Sequence, residues 1–164
     1  LKYKNMIFEK IKNELEANQF KIVSMDQSRP WGGFFVIAEE QAQQFANTYF
    51  DGLEVSSLKI SGKLSPKILV IAPDKRLSWQ YHHRRAEIWR VVQGEVGVKR
   101  SPNDTEGDLI VLKKGDTITL QQGERHRLIG LQDYAVIAEI WQHTDANHPS
   151  DEDDIVRVQD DFGR

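Results

Sequence analysis

The chain has 164 residues, 39% of them hydrophobic and 29% charged, with a formal net charge of −3 and no cysteine. This length suits one domain of ordinary globular composition, and the near-neutral charge implies no nucleic acid or other polyanion as partner. The absence of cysteine excludes disulfides and thiolate metal sites, so any metal must be held by His, carboxylate or amide oxygen.

No apolar run is long enough to span a bilayer and no signal-peptide pattern is present, so the expectation is a cytoplasmic protein with no membrane partner. Leu1 is not an initiating residue, as expected of a trimmed or processed chain. Residues Lys4 to Asn18 carry Ile7, Phe8, Ile11 and Leu15 at helical spacing, which predicts an amphipathic helix covering the main body or a dimer contact. A short strand is expected at Lys21 to Met25, a turn at Arg29-Pro30-Trp31-Gly32-Gly33, and a strand at Phe34 to Ile37. Glu39 to Phe50 reads as a second helix, stopped by Asp51-Gly52. A strand at Val55 to Ile60 and a turn at Ser61-Gly62 are expected next.

From Lys67 short apolar runs alternate with turn residues, the all-β signature. Strands are expected near Lys67–Ala72, Leu77–His83, Glu87–Val92, Glu95–Arg100, Asp108–Leu112, Thr117–Gln121, His126–Ile129 and Tyr134–Gln142. Short strands joined by tight turns suit a barrel or double sheet, whose mouth can hold a site. The tail from His143 is acidic and reads as a solvated face, with an edge strand at Ile155, Val156 and Val158. This organisation predicts an N-terminal helix and strand over residues 1–28 and a barrel domain over 29–164, with a helical insert near 39–51.

Side chains two apart on a strand share a face, so Gln80 and His82 point the same way. A turn at Arg84-Arg85-Ala86 brings Glu87 beside them on the returning strand, and His126 is the candidate fourth ligand. Each residue also has a plainer reading. His126 can be a satisfied strand histidine, Gln80 a polar strand residue, and Glu87 a partner of Arg85 or Arg90. Trp31, Trp79, Trp89 and Trp141 fit core or rim packing, and Arg157 and Arg164 can balance the acidic tail.

Asp74, Gln80, His82, Glu87 and Gly94, followed by Gly115, Gln121, Gly123, His126 and Gly130, resemble the two signature motifs of the cupin superfamily. Asp74 stands for a usual Gly, Gln80 for a usual His, Gln121 for a usual Pro and Gly130 for a usual Asn. A narrower resemblance, carried by Arg29-Pro30-Trp31-Gly32, by Leu77 through Trp89, and by Asp153-Asp154-Ile155-Val156-Arg157 with Asp160-Asp161-Phe162-Gly163-Arg164, is to the type II phosphomannose isomerase cupins. There Arg84 and Ile88 stand where the family usually has His.

The resemblance implies an all-β double-stranded β-helix, a jelly-roll barrel with N-terminal helical additions. It also implies a metal-dependent isomerase of mannose 6-phosphate type, and a homodimer. The metal ligands would be Gln80, His82, Glu87 and His126, holding a divalent ion, with zinc the leading choice and manganese, iron or nickel also suited. Glu139 and His83 are the candidate bases, although strand alternation puts His83 opposite to His82. Arg85, matching the family's Arg, with Lys67, Arg157 and Arg164, would bind the phosphate of a small sugar phosphate. The rival readings are a non-catalytic sugar-binding or regulatory cupin and a metal-dependent oxygenase.

Overall fold

A computed structural model describes residues 2–58 and 62–164. The N-terminal helix α1 (Lys2–Ala17) buries Phe8, Ile11 and Leu15, the stripe set by its sequence spacing. Strands β1 (Ile22–Arg29) and β2 (Gly32–Ile37) form a hairpin. A 3-10 turn at Glu39–Gln41 then leads into helix α2 (Ala42–Tyr49). The barrel strands follow: β3 (Lys67–Ile71), β4 (Trp79–Tyr81), β5 (Arg85–Gln93), β6 (Glu95–Ser101), β7 (Ile110–Lys113), β8 (Thr117–Leu120), β9 (Arg125–Gly130), β10 (Ala135–His143) and β11 (Val156–Gln159).

Two antiparallel sheets face each other. One has six strands in the order β1-β2-β3-β10-β5-β8, the other five in the order β11-β4-β9-β6-β7. This is the expected double-stranded β-helix with helical additions. The six-stranded sheet is covered on both sides, which explains why β3 and β10 read as near-continuous apolar runs. Ile68, Val70, Val136, Ala138 and Ile140 pack against α1 and α2 with Phe8, Phe35 and Phe45. Leu69, Ile71 and Ile137 point the other way, into the barrel, and meet Val96, Val98 and Leu128 of the second sheet.

Four expectations need correction. The expected division at residue 28 falls inside β1, which belongs to the six-stranded sheet. Val55–Ser57 form a 3-10 turn rather than a strand, and Lys59, Ile60 and Ser61 of that expectation lie outside the described residues. Strand β4 is shorter than Leu77 to His83, because the chain leaves the ladder at His82 to make the turn. Arg85 and Ala86 already belong to β5, so the turn is at 82–84 and Arg85 shares the inward face of Glu87 and Trp89.

Two departures from the cupin motifs have backbone explanations. Asp74 adopts φ +61°, the left-handed region where the motif's Gly is usual and which Asp tolerates better than most residues. A Cβ at Gly130 would lie 1.9 Å from the Ala72 carbonyl oxygen, so no side chain fits there.

The helical layer depends on Phe45, whose buried ring packs against Tyr49 at 4.8 Å and Phe20 at 6.0 Å. Phe45→Ala is expected to destabilise the chain by about 3–5 kcal/mol, read by denaturant unfolding, because it opens a cavity between helix and sheet.

Candidate functional site

Three strands of different parentage bring His82, Glu87 and His126 to one point inside the barrel. His82 directly follows β4, Glu87 lies on β5 between Leu120 of β8 and Trp141 of β10, and His126 lies on β9 opposite Gln80. All three are buried, and one ligand atom from each lies within 4.8 Å of the others. The Glu87 Oε1 oxygen is 3.4 Å from His82 Nε2 and 3.2 Å from His126 Nε2.

The ring partners set the tautomers. His82 Nδ1 is 2.7 Å from the Asp154 carbonyl oxygen, and His126 Nδ1 is 3.1 Å from that of Glu124. A carbonyl only accepts, so Nδ1 carries the proton in both neutral rings and each Nε2 turns a lone pair inward. Buried His82 Nε2 and Glu87 Oε1 have no hydrogen-bond partner. In the neutral form of both rings, two imidazole lone pairs and a carboxylate oxygen face one another with no proton to share. Such a set fits a divalent cation.

Gln80 stands at the edge of this cluster. Its amide nitrogen is 3.5 Å from His126 Nε2, and its oxygen accepts from the Ser78 hydroxyl at 2.6 Å. In this orientation it presents no ligand atom. A half-turn of the amide would exchange the two atoms, and the Ser78 hydroxyl can accept as well as donate.

The cluster opens into a cavity of about 470 Å³, within the ~300–1,000 Å³ range of small-molecule sites. Glu139 lines it from β10, directly opposite Trp89 and Lys67 on the flanking strands. Its Oε1 accepts from Trp89 Nε1 at 2.9 Å. Burial, and then the charge of Glu87, raise its pKa to about 7. Glu87 goes the other way. Burial alone would raise it, but His82 in its protonated form, the Arg85 guanidinium, and N–H donation from His126 when that ring is protonated hold it well below the ordinary carboxylate value. Two carboxyls in one cavity therefore differ in protonation at neutral pH, a common basis for dividing acid and base roles.

Of the expected phosphate ligands, Arg85 is buried and committed. It donates to Glu87 Oε2 at 3.1 Å, Ser150 Oγ at 2.8 Å and the Asp151 carbonyl at 2.9 Å, and lies 3.9 Å from the Trp141 ring centre. Lys67 pairs with Glu152 at 2.6 Å and Arg164 with Asp160 at 2.9 Å. Arg157, opposite Gln80 on β11, is exposed, lines the cavity and makes no ion pair among the described residues. Arg29, which sequence reasoning did not single out as a ligand, joins these cations in the lining.

Among the expected catalytic and phosphate-binding residues, His83 alone lies away from the cavity. Its ring is exposed and meets Tyr81 edge-on at 5.3 Å, so the expectation that it is a base is corrected: the turn that buries His82 points its neighbour to solvent. The missing family histidines prove peripheral. Ile88 packs into the helical layer, and Arg84 sits near Asp151 and Asp154; neither lines the cavity.

The acidic tail is part of the site. Asp154 is buried; its side chain accepts from His83 N at 2.9 Å, Arg84 N at 3.0 Å and Ser150 Oγ at 2.6 Å, while its carbonyl holds His82. Read alone, the charge run gave no sign of this, because nothing in Asp151 to Asp154 says which carboxylate turns inward. His143, also buried, donates from Nε2 to the Lys63 carbonyl and accepts from Ser150 N at 3.0 Å, anchoring the start of the tail.

Three expectations follow. His82→Ala or His126→Ala should lose bound divalent metal, by elemental analysis, while the β-rich circular dichroism spectrum stays. Asp154→Ala keeps the main-chain carbonyl that holds His82 but loses the carboxylate that fixes the His83–Arg84 turn, so it should weaken metal affinity by about 10-fold, the low end for outer partners of metal-binding histidines. Burial opposes ionisation of Asp154, but the Ser150, His83 and Arg84 hydrogen bonds bring its pKa below the ordinary value. Its stabilising contribution is therefore complete above the ordinary value of about 4 and fades as the pH falls through the folded-state value. The stability gap between wild type and Asp154→Ala should close on acidification.

Residues 38–160 match the family described as Mannose-6-phosphate isomerase C-terminal. The chain is 30% identical over 108 residues to the xanthan biosynthesis protein XanB of Xanthomonas campestris pv. campestris, covering 66% of this chain and 21% of that protein. It is 25% identical over 158 residues to the mannose-1-phosphate guanylyltransferase of Salmonella montevideo, covering 96% of this chain and 27% of that enzyme. The chain thus spans about a quarter of the length of these relatives. The capsular polysaccharide assembling protein CapF of Staphylococcus aureus superposes with a TM-score of 0.56 at 14% identity, over 83% of this chain and 34% of CapF, which shows a shared fold alone. No helix among the described residues is long and apolar enough to cross a membrane. With the match running from the helical insert through the last strand, the chain belongs to the mannose-6-phosphate isomerase C-terminal family of cupins.

Proposed function

We propose that this chain is a metal-dependent aldose–ketose isomerase acting on a sugar phosphate, with mannose 6-phosphate and fructose 6-phosphate as the first pair to test. One observation carries the reading. A cation-ready His82–Glu87–His126 cluster and a carboxyl with a pKa of about 7, Glu139, share one cavity whose outer lining carries Arg157, Arg164, Arg29 and Lys67.

Isomerisation moves a proton between adjacent carbons while oxygen charge develops beside them. A divalent ion, zinc first and then manganese, iron or nickel, would supply a fixed positive charge for that oxygen. His82, Glu87 and His126 would hold it, with Gln80 as a fourth ligand after the half-turn of its amide. Arg85 keeps Glu87 ionised and aimed. Glu139 is the base: it takes the proton from the carbon next to the carbonyl and returns it to the former carbonyl carbon, while the hydroxyl proton passes to the former carbonyl oxygen. A pKa near the working pH suits a group that must accept and then give back one proton. Trp89 holds its carboxyl in place. Arg157, with Arg164 and Lys67 beside it, binds the phosphate and fixes which end of the sugar reaches Glu139.

The substitutions at Arg84 and Ile88 leave this arrangement intact, which removes the main support for a purely sugar-binding role. The names of the relatives, concerned with mannose 1-phosphate and polysaccharide synthesis, support the substrate class.

A coupled assay of mannose 6-phosphate with each metal added should show turnover. No turnover of any hexose or pentose phosphate at full metal occupancy would contradict the reading. kcat/KM should rise with pH as Glu139 loses its proton, in a limb below the metal-free value of about 7, because the bound cation offsets the Glu87 charge that helps raise it. Glu139→Gln should cost roughly 10²- to 10⁴-fold and lose that limb of the profile.

A further inference from the structure

Four buried side-chain polar atoms have no hydrogen-bond partner among the described residues: Trp31 Nε1, His82 Nε2, Glu87 Oε1 and Trp141 Nε1. Buried polar groups are paired with few exceptions, and each exception needs an explanation. Three of the four belong to residues lining one cavity, Trp31, His82 and Glu87. His82 Nε2 in its neutral ring and Glu87 Oε1 offer lone pairs, and a cation answers both. Trp31 Nε1 does not fit that explanation. An indole N–H only donates, so no cation satisfies it and an acceptor oxygen is needed.

The backbone fixes where Trp31 stands. Gly32 follows it at φ +140°, and a Cβ there would lie 1.9 Å from the Val70 carbonyl oxygen. The hairpin turn is thus pressed against β3 more closely than a side chain allows. The Trp31 carbonyl also accepts from Ala72 N at 2.8 Å. Trp31 is 6% exposed and packs in one apolar cluster with Leu69, Ile71 and Trp89. Trp89 supplies the contrast. Its indole N–H is taken by Glu139 at 2.9 Å, so of these two rings Trp31 alone keeps an unused donor among the described residues.

The surroundings say which kind of oxygen it suits. Phe34 and Leu77 pack against the same cluster, and with Leu69 they also line the cavity. The positive charge of the lining sits on other residues, Arg29, Lys67, Arg157 and Arg164. A phosphate goes to guanidinium groups, which hold it through paired charged hydrogen bonds. A single neutral donor among apolar walls suits an uncharged hydroxyl oxygen on a ligand whose C–H groups meet those walls.

We propose that Trp31 is a specificity-determining residue of the cavity, whose indole N–H donates to a hydroxyl oxygen on the carbon skeleton of the bound sugar. The inference rests on the sugar-phosphate reading of the site. It adds a residue that distinguishes a sugar phosphate from phosphate alone.

Calorimetric titration of the chain with zinc added tests it, using inorganic phosphate and 1,5-anhydromannitol 6-phosphate, which has no carbonyl to isomerise. Trp31→Phe keeps an aromatic ring and removes the donor. It should weaken the sugar phosphate by about threefold to tenfold, the worth of one neutral hydrogen bond, and inorganic phosphate by less than about twofold. In the wild type, the Trp31 Nε1–H proton resonance, assigned through its contacts to neighbouring methyl groups, should move downfield with the sugar phosphate and stay in place with inorganic phosphate. This second measurement uses the unaltered chain, so it decides the matter even if the variant unfolds. An unmoved resonance overturns the proposal, as does an unchanged affinity of Trp31→Phe for the sugar phosphate. Equal loss of both ligands overturns it too, because Trp31 would then only support the wall. If binding behaves as expected but mannose 6-phosphate is not turned over, the proposal stands and the isomerase reading alone fails.

Discussion

Two backbone carbonyls decide what this site is. The Asp154 and Glu124 carbonyl oxygens each take the Nδ1 proton of a histidine, His82 and His126. Both imidazoles must then present bare Nε2 atoms to the same carboxylate oxygen, Glu87 Oε1. An unsatisfied buried polar atom costs about 1–3 kcal/mol, and His82 Nε2 and Glu87 Oε1 are both in that state. A fold that maintains such an arrangement is offset elsewhere, here by a six-stranded sheet buried on both faces. Cation binding would turn the same three atoms from a cost into a source of stability.

The second consequence is electrostatic. The Arg85 guanidinium keeps Glu87 ionised, helped by His82 and His126 whenever those rings are protonated, and the Glu87 charge adds to burial in raising the pKa of Glu139. Arg85 thus serves the cluster directly, while its other donors hold Ser150 and Asp151 and fasten the tail across the barrel. The tail in turn supplies Asp154, which orients His82. Candidate metal ligands, cavity carboxyl and C-terminal wall are one connected network, so changes at its outer members should reach the centre.

Much of this was legible in the sequence, for reasons that can be named. Strand alternation and turn spacing bring His82 and Glu87 together from a hairpin alone, and the resemblance to the second cupin motif adds His126. Glu139, expected as a candidate base, does line the cavity. What failed were short-range choices governed by partners distant in sequence. Arg85 looked like a turn residue because nothing nearby says that Ser150 and Glu87 will hold it. Asp154 looked solvated because its acceptors are filled by backbone N–H groups some seventy positions earlier. The His83 side chain depends on a turn one residue earlier than expected, and Ile88 mattered less than its motif position suggested because it faces the helices. Asp74 is the opposite case: a departure from the motif that keeps the motif's backbone conformation.

The most direct measurement is long-range ¹H–¹⁵N NMR of the histidine rings, before and after adding zinc. The account predicts that His82 and His126 are both neutral with the proton on Nδ1, and that both Nε2 resonances move together when one equivalent of metal is added. Rings protonated on Nε2 toward Glu87, or Nε2 resonances indifferent to metal, would contradict it.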